Sequence, residues 1–89
     1  MSPVRRGKDQ PIHNRIQVLR VERDLTRAQL AAAVEVNPQT IGALERGDHY
    51  PSLDLALRIC EAFELPVEAV FSRLPFAPLS SQVYGRQES

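Results

Sequence analysis

Gln39, Thr40, Ala43 and Arg46 lie close together in the stretch PQTIGALER, and their types suit the reading of a nucleic acid. The Gln39 amide donates and accepts at once, which matches N6 and N7 of adenine. Thr40 stands beside it as the next candidate. Ala43 offers an apolar point for a thymine methyl; the alternative is that its small size only permits a close approach. Arg46 closes the stretch and can reach a phosphate, or it is a surface cation favourable at a helix C-terminus. Upstream, Arg27 and Gln29 follow Thr26, where side chains and the unpaired N–H groups of a helix start suit a phosphate. Asn37 serves as a helix cap, with a phosphate contact as a second use. The plain alternative for Gln39 is a solvated polar residue.

These residues can read a groove only if a rigid element presents them. The segment TRAQLAAAVEVNPQTIGALERG reads as two short helices joined by a tight turn. Thr26 caps the first, and Leu30, Ala31 and Val34 fall on one face. Glu35, Val36 and Asn37 form the break. Asn37 before Pro38 is a strong helix start, because the ring's fixed φ suits the first helical position and its missing N–H is not needed there. Ile41 and Leu44 form the apolar face of the second helix, and Gly47 can take the left-handed conformation that ends it. Two helices this short must pack across each other steeply. The outer face of the second is then exposed and fits a DNA major groove.

Around this pair the spacing predicts three further helices. The first covers roughly residues 12–24, with Ile16 and Leu19 inward and Leu25 closing the corner. The fourth is capped by Ser52 and carries Leu55, Ala56, Ile59, Cys60 and Phe63. A short fifth covers roughly 66–74. The fold class is therefore all-α, five helices around one core. The expected core is Ile16, Leu19, Leu25, Leu30, Ala31, Val34, Val36, Ile41, Leu44, Leu55, Ile59, Phe63 and Val70. Residues 1–11 read as a flexible basic arm, 12–74 as the domain and 75–89 as a tail in which Leu79, Val83 and Tyr84 could form a short strand. Arg5, Arg6 and Lys8 in the arm could follow a phosphate backbone or enter the minor groove; the alternative is solvation alone. Val67, Val70, Phe71, Leu74 and Phe76 exceed what one small core needs. They are the candidate dimer contact, the alternative being packing of the tail onto its own chain.

With 89 residues the chain has room for one small domain. Net charge is zero but unevenly spread. Up to residue 30 there are seven basic and three acidic residues; from residue 31 there are four and eight. A basic face at one end can bind phosphates despite the neutral total, because screening confines each charge to about 8–10 Å. No apolar run approaches the ~20 residues that span a bilayer, and the basic start has no apolar stretch behind it to make a secretory signal. Cys60 is the only cysteine, which rules out an internal disulfide. Its place on an apolar helix face makes it a small core residue. His13 and His49 have no ligand set around them, so no metal site or cofactor is expected. No catalytic constellation can be assembled, and an enzyme is not expected. Together these features point to a cytoplasmic protein.

The stretches IQVLRVERDLTRAQLA, VNPQTIGALERG and PSLDLALRICEAFELPVEAVF resemble those of the Cro/repressor-type helix-turn-helix transcriptional regulators, the Xre family. The resemblance covers about residues 12–72 and is closest to short, single-domain bacterial members. It implies a five-helix, lambda-repressor-like fold and a dimer on a partly symmetric double-stranded DNA operator. It also implies that the third helix lies in the major groove and the second crosses the DNA backbone. A partly buried ion pair between Arg20 and Glu45 would fix the angle of the recognition helix. Two residues depart from the pattern. Glu35 stands where members often have Gly, at a strain of around 1 kcal/mol if its φ is positive. Gly42 lies within the recognition helix, weakening it by roughly 0.5–1 kcal/mol relative to Ala and removing a possible base contact.

The leading expectation is thus a sequence-specific regulator, a repressor acting as a homodimer. Two others stand beside it. One is a DNA-binding antitoxin whose tail, residues 75–89, engages a protein partner. The other is an interaction module that has lost its DNA contacts, suggested by Gly42 and the neutral total charge; its binding to DNA would be absent or insensitive to salt.

Overall fold

The computed structural model describes residues 11–77. Arg5, Arg6, Lys8 and the segment with Leu79, Val83 and Tyr84 lie outside the described residues. In chain order the elements are strand β1 (His13–Asn14), helices α1 (Ile16–Glu22), α2 (Arg27–Val34), α3 (Pro38–Arg46), α4 (Leu53–Phe63) and α5 (Val67–Val70), and strand β2 (Phe71–Ser72).

Local chemistry sets the helix ends. Thr26 Oγ1 accepts from Gln29 N at 3.0 Å, and Gln29 Oε1 accepts from Thr26 N at 2.8 Å, a reciprocal cap for α2. Asn37 Oδ1 accepts from Thr40 N at 3.0 Å to open α3, with Pro38 in its first turn. Ser52 Oγ does the same for α4 from Leu55 N at 3.1 Å. Gly47 ends α3 at φ +78° and Glu35 ends α2 at φ +63°, both left-handed. Only glycine takes that conformation without a Cβ penalty, so Glu35 carries the strain expected of it. Val36 N donates to Ala31 O across the same turn at 3.0 Å, and Arg58 Nη1 donates to Val34 O at 3.2 Å. The end of α2 is thereby held from two sides.

Two boundaries differ from the sequence reading. Residues 13–14 are not the start of the first helix; β1 pairs antiparallel with β2, with His13 opposite Ser72 and Asn14 opposite Phe71. The cause is the Asn14 side chain. Its Oδ1 accepts from Ile16 N at 3.0 Å, its Nδ2 donates to Leu44 O at 2.9 Å, and Arg15 N donates to Val70 O at 2.9 Å. A side chain bonded to its own backbone two residues on delays the helix. The fifth helix stops at Val70 instead of running to residue 74, because Phe71 and Ser72 are taken up by the strand pair.

The core consists of Ile16, Leu19, Leu30, Ala31, Val34, Ile41, Leu44, Ile59, Cys60, Phe63 and Val70, with Leu25, Val36, Leu55, Leu65 and Phe71 packed against it. Val70 is fully buried, so it cannot contribute to a dimer contact as the sequence suggested. Arg23 joins the ends of α1 and α4. Its Nη2 donates to Phe63 O at 3.0 Å and its guanidinium lies 5.1 Å from the Phe63 ring centre.

The attitude of α3 is set by charge as well as by packing. The Glu45 side chain is 1% exposed and is held by two arginines. Arg20 Nε, from α1, lies 2.8 Å from Oε2, and Arg27 Nε, from α2, lies 3.0 Å from Oε1. Arg20 Nη1 also donates to Leu25 O at 2.9 Å, fixing the corner between α1 and α2. One carboxylate therefore ties three helices together.

Removing that carboxylate leaves the nearly buried Arg20 guanidinium without its charge partner. We expect Glu45→Ala to cost about 3–5 kcal/mol in urea unfolding. Arg27 is half exposed, so Arg27→Ala should cost under about 1 kcal/mol in the same assay. Equal losses would mean that the half-exposed Arg27, and not the nearly buried Arg20, is the partner that matters to Glu45.

Burial pushes the Cys60 thiol above its ordinary pKa of 9.0, with Glu61 and Glu68 adding to the rise. Folding thus favours the protonated thiol. The stability this lends is complete below pH 9.0 and is lost as pH rises through the higher folded value. At mildly alkaline pH, Cys60 of the folded chain should react with iodoacetamide far more slowly than in denaturant. Equal rates would show that the site opens freely.

Candidate nucleic-acid interface

Helix α3 buries Ile41 and Leu44 and turns Pro38 and Gln39 outward. Gln39 is exposed in the first turn of the helix, where its amide is presented to solvent. Thr40 and Ala43 are half buried. The Thr40 hydroxyl is already engaged, donating to Asn37 Oδ1 at 3.1 Å. Asn37 Oδ1 thus accepts from both the backbone and the side chain of Thr40. The cap use of Asn37 is therefore filled.

Arg46 is exposed at the end of α3, and its Nε is 2.9 Å from Asp48 Oδ2. This contact orients a side chain that would otherwise sweep freely. Arg27 lies at the first position of α2 with its Nε on Glu45, so it is both an interface candidate and a structural residue. The sequence reading missed that second role. An acidic residue in α3 spaced to meet the start of α2 was its only signal. Gln29 is exposed, but its amide oxygen is spent on the cap of α2, which leaves its NH₂ group to face a phosphate.

Gly42 differs from its sequence-based description. It is buried, beneath two arginine side chains, where the sequence marked only a weakened helix and a missing base contact. Arg46 and Arg27 lie over it, and a Cβ there would come within 3.2 Å of Arg46 Nη1 and 3.8 Å of Arg27 Nε. Side chains in a helix lean towards its N-terminus, so the residue one turn after Gly42 covers it. Arg27, Pro38, Gln39, Gly42 and Arg46 line one cleft of about 270 Å³.

The dimer candidates are divided among environments. Val67 and Leu74 are exposed, Phe71 and Phe76 are half buried, and Val70 is in the core. Arg15 lies 5.4 Å from the Phe76 ring centre, which holds this part of the chain against the start of α1. Tyr50 and Leu53 were not singled out from the sequence. With Ile12, Pro51, Ala56, Val67 and Phe71 they line an apolar groove of about 290 Å³. Leu53 and Leu57, four residues apart and both exposed, are the helical signal that could have shown this second apolar face of α4.

Among the described residues no group of His, Cys, Asp and Glu could hold a metal ion, and no helix is long and apolar enough to cross a membrane.

The chain is similar to known proteins over this same region. A family model described as helix-turn-helix matches residues 16–70. The HTH-type transcriptional regulator YgzD of Bacillus subtilis is 43% identical over 58 residues, 65% of this chain and 88% of that protein. An HTH-type transcriptional regulator of Methanocaldococcus jannaschii is 38% identical over 58 residues, covering the same shares of each. The crystal structure of the clp gene regulator ClgR from Corynebacterium glutamicum superposes with a TM-score of 0.59 at 29% identity, covering 82% of this chain and 74% of that one. The matched residues contain every element from α1 to α5, including the cap at Asn37, the exposed Gln39 and the Glu45 carboxylate. The chain belongs to the Xre-type, Cro/C1-like family of helix-turn-helix DNA-binding transcriptional regulators.

Proposed function

We propose that this regulator reads a specific operator as a homodimer and represses by occupying it. The observation that carries this reading is the attitude of α3. Gln39 is exposed at its start while Ile41 and Leu44 anchor its other side, and Glu45 holds it to α1 and α2. In this reading Gln39 makes the bidentate contact to adenine, and Ala43 lies against a neighbouring base. The Thr40 hydroxyl, engaged with Asn37, contributes through its remaining lone pair and methyl group. Arg27, Gln29, Asn37 and Arg46 face the backbone. The dimer contact draws on Val67, Phe71, Leu74 and Phe76; the exposure of Val67 and Leu74 supports it. Two recognition helices about 34 Å apart would then meet successive major grooves. Repression needs nothing beyond this, since a bound domain excludes other proteins from the same DNA by volume alone. The partner is double-stranded DNA and the place of action is the cytoplasm.

Selection of bound duplexes from a random pool tests the reading. The expected result is a palindromic site, bound less tightly as salt rises. Gln39→Ala should relax preference at one position in each half-site, at about 1–3 kcal/mol for the preferred base. Recovery of unrelated sequences, or binding that ignores salt, would sink the proposal.

A further inference from the structure

We propose that Arg27 and Arg46 act together as a clamp for a single DNA phosphate, closed across the bare backbone of Gly42. This rests on the DNA-binding reading above and assigns two of its contacts to one ligand atom group. The two guanidiniums come from different helices and meet over the same glycine: Arg46 Nη1 within 3.2 Å and Arg27 Nε within 3.8 Å of where a Cβ would be. Like charges brought together call for an anion. Carboxylates supply part of it, but from behind. Glu45 Oε1 takes Arg27 Nε at 3.0 Å and Asp48 Oδ2 takes Arg46 Nε at 2.9 Å. Each arginine is thereby oriented through Nε, which leaves its Nη groups for a further acceptor.

The charge count favours one phosphate over two. Together, the Arg20–Glu45–Arg27 network and the separate Arg46–Asp48 pair make a set of three arginines against two carboxylates around the cleft. It is one positive charge in excess, and one phosphodiester balances it. A guanidinium presents planar, forked donors that match phosphate oxygens, so each arginine can engage the same phosphate through its Nη groups. Gly42 is the positioning residue. A longer side chain there would fill the cleft that Arg27, Pro38, Gln39, Gly42 and Arg46 line and force the arginines apart.

Two measurements on the full chain test the clamp. In the first, inorganic phosphate is titrated while the arginine Nε–H resonances are followed by NMR. The Arg27 and Arg46 signals should move together with one midpoint. They should stop moving in Gly42→Leu, with its helical circular dichroism and cooperative unfolding retained as the check that the variant is folded. Movement of one signal alone, or unchanged titration in Gly42→Leu, would overturn the proposal. In the second, operator affinity is measured against salt for Arg27→Ala, Arg46→Ala and the double variant. Each single change should lower the slope by about 0.9 per half-site, about 1.8 for the dimer, and the double by no more. A double variant that loses about twice as much would mean separate phosphates. An Arg46→Ala variant that alters base preference at an unchanged slope would make Arg46 a base reader. Either result refutes the clamp. A chain that binds inorganic phosphate in this way but no duplex would retain the anion site and end the proposed operator reading.

Discussion

One buried carboxylate holds the recognition helix in place. Glu45 lies on α3, yet its oxygens are bonded to arginines of α1 and α2. Apolar packing through Ile41 and Leu44 brings α3 to the body, but packing alone tolerates small slides and rotations. Two charge-assisted hydrogen bonds at fixed distances do not, because their strength depends on direction as well as separation. A carboxylate this deeply buried adds little net stability once its desolvation is counted. Its effect is on orientation: the exposed side of α3 faces one way only. What Glu45 supplies is that constraint on direction, more than a deeper core.

The same network explains how a chain of zero net charge presents a basic face. The Glu45 side chain is 1% exposed, so its charge is spent inside the domain. Arg27 is about half exposed and Arg46 more so. On this face Arg27 and Arg46 are exposed, the acid that pairs with Arg27 is hidden, and Asp48 beside Arg46 is exposed. Many of the remaining acidic residues belong to the C-terminal half, on α4 and after it. With a screening length of about 8–10 Å, those charges weigh little at the exposed face of α3.

Much of this was legible in the sequence where the signal was local. Thr26, Asn37–Pro38 and Gly47 mark helix ends by chemistry that acts within a few residues, and all three do so in the structure. Apolar spacing identified the core side of α2, α3 and α4, since helical period and burial are linked directly. The signal failed where an element depends on a distant partner. The strand pair of His13–Asn14 with Phe71–Ser72 is too short to show a period, and it forms because Asn14 bonds to Leu44 across thirty residues of chain. The second role of Arg27 and the burial of Gly42 depend on how α2 crosses α3, which spacing along one helix does not encode. A glycine read as a missing base contact is the floor of a cleft roofed by two arginines.

That correction changes how the weakness of α3 is understood. The helix has nine residues, and an isolated helix below ~12–15 residues is marginal in water. Gly42 lowers its intrinsic stability further. Such a helix is ordered only while its caps, Ile41, Leu44 and Glu45 are held by the rest of the domain. Its exposed face therefore exists only in the folded protein, and a loss of packing beneath it is also a loss of that face. Substituting alanine for Gly42 would improve helix propensity at the position where added bulk most disturbs the arginines above. Local stability and the geometry of the cleft make opposite demands on residue 42. A glycine there is the choice that gives up helix strength and keeps the space.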